Sequence, residues 1–306
     1  MHTIGLDVGG TWIKAGLVDS SGRVLQSASE ATETRHIDGL VATLEGLVES
    51  LGRNEQIHSV GVGLPGLRSS ETGKIVVSPN LRCLDGVDIE AVLGQRIVPP
   101  VVARNDADMS AWGEFSVGAG AGTRHMVCLT LGTGVGSGVI FDGRPYNGAR
   151  GYAAEAGHIT VDPEGLPCSC GSRGCLEAVA SGTGIVALAR AWLGPEDRGS
   201  IREPWTSAGL CQAALAGHAG ARRVFEQAGR YLGVACGSLI NLLNPEAIVI
   251  VGGVMEAGDL ILGPAIDEAR IRAFDISFDA CRIVPGQLGL MAGVVGAALL
   301  ARHATK

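Results

Sequence analysis

Apolar and polar positions alternate from Thr3 to Asp19 with one interruption. Ile4, Leu6 and Val8 precede Gly9-Gly10, and Ile13, Ala15 and Leu17 follow it. A period of two on both sides of a glycine pair predicts a strand, a tight turn and a second strand. The spacing becomes helical over Leu40–Leu51, and Ser59–Leu64 predicts a short buried strand. Another strand is expected over Val98–Ala103, with its prolines at the start where a strand tolerates them, and a helix from Ala107. The strand–glycine–strand unit returns at Met126–Leu131, Gly132-Thr133-Gly134 and Val135–Phe141, roughly 120 residues after the first, which suggests a weak internal duplication. Helical patterns follow over Leu176–Leu193, Cys211–Leu215 and Ala221–Leu243. Then Ala247–Val251 forms a β-branched run into Gly252-Gly253, with a further helix beyond.

Strands alternating with helices imply mostly parallel sheets covered by helices, an α/β class. A chain of 306 residues exceeds what one core usually supports, so two domains are expected. The expected division is a small N-terminal α/β domain of residues 1–106 plus 291–306, and a larger α/β domain of residues 107–290.

Composition narrows the function. The 47 glycines fall between apolar runs and read as strand turns and ligand-facing backbone. Net charge is −7 with scattered basic residues, so nothing suggests a nucleic-acid partner. The strand pattern starts at Thr3, leaving no room for a secretory leader. The uncharged stretch Ile283–Ala301 holds Pro285 and several glycines, and only Met291–Ala301 is continuously helical. That is short of the roughly 20 residues of a membrane span. A cytosolic protein with no membrane partner is expected. Of eight cysteines, Cys168, Cys170 and Cys175 crowd together, while Cys83, Cys128, Cys211, Cys236 and Cys281 are dispersed among apolar residues. In a reducing compartment this pattern favours one metal site plus inert core thiols over disulfides.

Three glycine turns carry candidate phosphate chemistry. In Asp7-Val8-Gly9-Gly10-Thr11-Trp12-Ile13-Lys14 the glycines allow backbone N–H groups to approach phosphate oxygens. Thr11 adds a hydroxyl, Asp7 a magnesium ligand and Lys14 a positive charge. Gly132-Thr133-Gly134 offers a second cradle, although alternating glycine also suits a tightly packed strand pair. Gly252 and Gly253 lie between a buried strand and a helix, a place where nucleotides are often met, although any strand-to-helix turn would account for them. His158 with Cys168, Cys170 and Cys175 makes the closed tetrahedral donor set of a structural zinc site, with no position left for water. Glu155 and Glu177 flank this cluster, which would hold two carboxylates at fixed positions, and carboxylates are good acceptors for sugar hydroxyls.

Taken together, Asp7–Lys14, Asn105-Asp106, Glu155-Ala156-Gly157-His158 and Cys168-x-Cys170-Gly-x-x-Gly174-Cys175-x-Glu177 resemble the ROK family of bacterial sugar kinases and repressors, from Ile4 to about Ala301. The cysteine segment is the specific part; the glycine loops are shared with the wider hexokinase, actin and Hsp70 group. The resemblance implies a two-domain actin-like (ribonuclease H-like) fold with the active site in the interdomain cleft. It implies ATP and Mg2+ as cosubstrate and cofactor, a structural Zn2+, and Asp106 as general base for the 6-hydroxyl of a hexose. Gly66, Asn80, Asn105, Asp106, Glu155, His158 and Glu177 fall on positions that bind the sugar. His158 would serve both metal and sugar. Asp is also favoured as a helix N-cap, so Asp106 would serve there too. A homodimer or homotetramer is implied. Arg82-Cys83-Leu84 lacks an aromatic that many glucose-specific relatives carry, and Arg104 replaces an acid or apolar residue. Glucose is the preferred substrate, with N-acetylmannosamine or N-acetylglucosamine as the rival. A sugar-sensing repressor is disfavoured because the phosphate loop is intact and begins at residue 7, and a sugar-independent actin-like ATPase because it would lack the cysteine segment.

Overall fold

The computed structural model describes residues 2–201 and 203–305. The strands are β1 (His2–Val8), β2 (Trp12–Val18), β3 (Val24–Ala31), β4 (Ile57–Leu64), β5 (Leu67–Arg68), β6 (Ile75–Val77), β7 (Val101–Asn105), β8 (Met126–Leu131), β9 (Val135–Phe141), β10 (Arg144–Pro145), β11 (Ala247–Val251) and β12 (Arg282–Pro285). The helices are α1 (Ile37–Gly52), α2 (Ile89–Gly94), α3 (Asp106–Val117), α4 (Glu177–Ala180), α5 (Gly182–Trp192), α6 (Pro195–Ser200), α7 (Ser207–Leu215), α8 (Ala219–Leu243), α9 (Asp259–Arg272), α10 (Asp275–Asp279) and α11 (Ala292–Ala304).

Two five-stranded sheets form, in the orders β3-β2-β1-β4-β7 and β10-β9-β8-β11-β12. Each therefore sets a glycine hairpin beside two later strands that run parallel to its first strand. The duplication suggested by the two hairpins thus recurs in sheet order. The first sheet is mixed rather than mostly parallel, because β1–β2 and β2–β3 pair antiparallel. Neither β3 nor β12 stood out in the apolar pattern.

By compactness the chain divides into two units. The first comprises Met1–Arg124, Gly138–Ala154 and Gln287–Lys306, and the second His125–Ser137 and Glu155–Gly286. In the first unit, Leu40, Leu44, Leu47 and Leu51 of α1 recur at helical spacing and pack into one core with Ile4, Leu6, Ile13, Val60 and Val62 of the sheet. Gly16, Gly5 and Gly61 are cross-strand neighbours and make a row without side chains. A Cβ on Gly5 would lie 1.9 Å from the Val294 carbonyl oxygen, and one on Gly61 1.9 Å from that of Ala297. The backbone of α11 therefore rests directly on the sheet. Helix α3 meets α11 in the same way, since a Cβ on Gly296 would lie 1.6 Å from the Met109 carbonyl oxygen. This contact carries the first unit past the boundary expected at Asp106 and through Arg124. These glycines serve packing rather than turns or ligands. Gly61→Ala should lower unfolding free energy by about 3 kcal/mol, since the backbone of α11 must shift, measured as a fall in denaturant midpoint at unchanged slope.

Fully buried Glu114 on α3 accepts hydrogen bonds from the backbone N–H groups of Ala119 (2.8 Å), Gln287 (3.1 Å) and Leu288 (2.9 Å). One carboxylate thus ties the end of α3 to the segment that leads into α11.

In the second unit all five residues of β11 are buried. Gly229, Gly233 and Gly237 follow one another at four-residue intervals along α8. Added Cβ atoms there would meet the Ile261 and Ala265 carbonyl oxygens at 2.4 and 2.5 Å and the Arg272 Cβ at 2.8 Å. Helix α9 therefore lies close along α8. The helix expected over Leu176–Leu193 is two helices, divided at Ser181, whose hydroxyl accepts from Gly184 N and caps α5. The strand expected to open on its prolines begins only at Val101, after Pro99 and Pro100, neither of which has an N–H for the ladder. Among the described residues no helix is long and apolar enough to cross a membrane.

Candidate active site

In the first unit the β1–β2 turn carries Gly9, Gly10 and Thr11. Gly9 N donates to the Trp12 carbonyl at 3.0 Å, and Thr32 holds the turn through its hydroxyl to Gly9 O (2.8 Å) and its N–H to Thr11 O (2.9 Å). Asp7 pairs across the hairpin with Lys14, whose Nζ donates to Leu290 O at 3.4 Å. Burial pushes the Asp7 carboxyl above the usual carboxylate range, and the Lys14 charge only partly offsets this. A Cβ on Gly293, in the first turn of α11, would lie 2.7 Å from that carboxyl carbon. Gly293 was missed in the sequence, where its only signal is a glycine early in a helical pattern. Asn80 is exposed and lies beside the turn, its Cβ 3.6 Å from where one on Gly10 would stand.

Burial raises the Asp7 carboxyl in the folded chain, so its ionisation opposes folding. Stability grows as pH falls through that raised value. Asp7→Asn should therefore raise the melting temperature at pH 7, with the gain vanishing in acid where the wild-type carboxyl is protonated. Thermal melts across pH check this.

Asp106 opens α3, and Asn105 rather than Asp106 is its N-cap. Asn105 Oδ1 accepts from Ala107 N (2.8 Å) and Asp108 N (3.3 Å), while Nδ2 donates to Gly66 O at 3.2 Å. The reason is geometric, because Asn105 has the extended φ/ψ of a cap and Asp106 is already helical. Asn105 so joins the Gly66 turn to the start of α3. Gly66 itself adopts φ +115°, and a Cβ there would meet Val77 O at 2.5 Å. The Asp106 Cα would lie 3.4 Å from a Cβ on Gly63.

In the second unit the other two glycine turns come together. Gly132, Thr133 and Gly253 line a cavity of about 420 Å³ with Thr183, Trp205 and Ser207. Gly252 adopts φ +106° and a Cβ on it would strike the Leu131 carbonyl at 2.3 Å, so this turn needs glycine. Thr183, Trp205 and Ser207 were missed. Ser181-Gly182-Thr183-Gly184, at the break between α4 and α5, was the available signal. Gly134 faces Glu177, whose Oε2 accepts from Val135 N at 3.0 Å and whose Oε1 accepts from Ser169 Oγ at 3.0 Å. Glu177 thus braces the glycine turn against the cysteine loop.

His158, Cys168, Cys170 and Cys175 bring one ligand atom each within 4.8 Å of one another. His158 Nδ1 lies 3.7 Å from Cys168 Sγ, and the Cys170 and Cys175 sulfurs are 3.7 Å apart. His158 Nε2 points the other way, 4.0 Å from Glu155 Oε2. Gly171 and Gly174 adopt φ +91° and +69°, which allow the loop to wrap. Burial and the neighbouring sulfurs push the Cys175 thiol up to about 12, a crowding that a bound dication relieves by stabilising thiolates. The donor set fits zinc. Burial also raises the Glu155 carboxyl, with His158 opposing and Glu177 adding to the shift. Tyr231 of α8 donates to Asp162 Oδ2 at 3.0 Å and anchors the loop's approach.

An α/β chain with repeated hairpin sheets, three glycine turns and a Cys3His cluster has close counterparts among known proteins. The sequence profile of the ROK family matches residues 3–304. A glucokinase of Halalkalibacterium halodurans is 36% identical over 98% of this chain and 94% of its own length, and one of Streptomyces coelicolor 35% over 98% of each. The crystal structure of a ROK family glucokinase from Streptomyces griseus, in complex with glucose and AMPPNP, superposes with a TM-score of 0.86 at 35% identity, covering 99% of this chain and 100% of the other. The fold is thus the actin-like ATPase fold of these kinases. The chain belongs to the ROK family.

Proposed function

We propose that the protein is an ATP-dependent hexose kinase that phosphorylates the 6-hydroxyl of glucose. The cavity bordered by two glycine turns, in a chain so similar to a kinase solved with glucose and AMPPNP, carries the reading. Backbone N–H groups at Gly9, Gly10, Gly132, Gly134, Gly252 and Gly253, with Thr11, Thr133 and Lys14, hold the nucleotide phosphates, and Asp7 holds Mg2+. Magnesium supplies charge neutralisation on the transferring phosphoryl group. Asp106 takes the proton of the sugar hydroxyl as its oxygen attacks the γ-phosphorus and ADP leaves.

Glu155 and His158 accept and donate to sugar hydroxyls, with Asn80 beside them in role. Glu177, Asn105 and Gly66 act through the braces described above as well as by contact. His158, Cys168, Cys170 and Cys175 hold Zn2+, which orders the loop that carries these carboxylates and takes no part in phosphoryl transfer. Specificity constants for glucose, N-acetylmannosamine and N-acetylglucosamine, measured by coupled ADP release, test the substrate. Glucose is expected to lead by at least tenfold, and an acetylated sugar ahead by that margin would replace it. ATP turnover indifferent to sugar would end the kinase reading.

A further inference from the structure

We infer that the nucleotide's base is gripped by contact and stacking rather than read at its edge, so that adenine and 6-oxopurine triphosphates serve as phosphoryl donors with similar efficiency. This selectivity rests on the kinase reading above and concerns the cavity of the second unit. At about 420 Å³ the cavity falls within the roughly 300–1,000 Å³ of small-molecule sites. Gly132, Thr133 and Gly253 of the two glycine turns line part of it, which leaves the base to the remaining residues. Apolar bulk comes from Val186, Val254 and Trp205. Trp205 is only 6% exposed, and its indole N–H donates to Ile201 O at 3.3 Å, which fixes the ring and removes that donor from the ligand.

Discrimination of a 6-amino from a 6-oxo group needs a fixed acceptor or a fixed donor at that edge. Sites built with one reject the mismatched analogue by about 10⁴–10⁵. Among the described lining residues there is no carboxylate, carboxamide, guanidinium or ammonium group. The polar side chains are hydroxyls. Thr183 Oγ1 donates to Thr133 O at 3.0 Å, which occupies its proton, while Thr206 Oγ1 accepts from Gly209 N at 3.0 Å and keeps an O–H and a lone pair, which suit either purine. Ser207 contributes a hydroxyl, which rotates to donate or accept and so suits either purine. An aromatic face stacks on any base.

With glucose as acceptor, kcat/KM is measured for MgATP, MgGTP and MgITP. All three are expected within tenfold of one another, and a larger preference for ATP overturns the inference. Calorimetric titration with MgADP and MgGDP asks the same question without turnover, and dissociation constants more than tenfold apart also overturn it. If no nucleoside triphosphate phosphorylates glucose, the kinase reading fails, and the titration alone decides this inference; binding of neither diphosphate sinks both. Trp205→Leu should raise KM for every donor by about tenfold while the glucose KM stays constant. Trp205→Phe, which keeps a ring, should recover most of that loss and also serves should the leucine variant not fold. A Trp205→Leu protein with unchanged donor KM removes the stacking contact.

Discussion

Exchanging Asp106 for asparagine should lower kcat for hexose phosphorylation by about 10²–10⁴-fold, the usual contribution of a positioned base, with sugar affinity held within a few-fold. The exchange is conservative for the fold. Asp106 Oδ1 accepts from Ala107 N at 2.9 Å, and an asparagine oxygen reproduces that bond. The cap of α3 belongs to Asn105, which is untouched. What disappears is the capacity to hold a proton, so the loss should fall on the chemical step rather than on binding. Steady-state kinetics beside calorimetric sugar titration separate the two. Turnover within threefold of wild type would mean that the base lies elsewhere.

The second large effect is expected from Cys170→Ser. Cys170 is exposed, so the replacement removes one sulfur and disturbs little else. Metal content should drop from one zinc per chain to near zero, and the sugar KM should rise at least about tenfold. A structural zinc contributes on the order of 10 kcal/mol to ordering its segment. Without it the loop from His158 to Cys175 loses its closure, and Ser169 no longer steadies Glu177 against the turn at Val135. The nucleotide KM should change less than the sugar KM, which distinguishes local loosening from global unfolding. Metal analysis of the wild-type protein gives the simplest check, since a chain purified without chelators and free of zinc would refute the assignment.

Much of the candidate site was legible because its chemistry is local in sequence. Asp7 to Lys14 is one hairpin, and a hairpin is readable from a period of two broken by glycine. Cys168 to Cys175 lie within one loop, and three thiols so spaced leave few alternatives to a metal. The N-cap of α3 was misread by one residue, because Asn and Asp are both good caps and only the backbone angles of Asn105 and Asp106 decide between them. Trp205, Thr183 and Ser207 escaped notice since they lie far along the chain from Gly132 and meet it only through folding. Glycine misled in a different way. Its frequency pointed to turns and ligand contacts, whereas Gly5, Gly61, Gly113 and Gly296 are there so that α11 can touch β1, β4 and α3.

The α/β class, the positions of the hairpins, the cysteine-histidine cluster and the family were readable from the order of amino acids, because periodicity, turn chemistry and residue spacing are properties of neighbours along the chain. The mixed strand order, the membership of α3 with the first unit, the joining of two glycine turns around one cavity and the bracing of Glu177 emerged with the folded chain alone. Those depend on close approach between distant segments, where a missing Cβ or a single carboxylate sets the distance, and no local pattern encodes which partner will arrive.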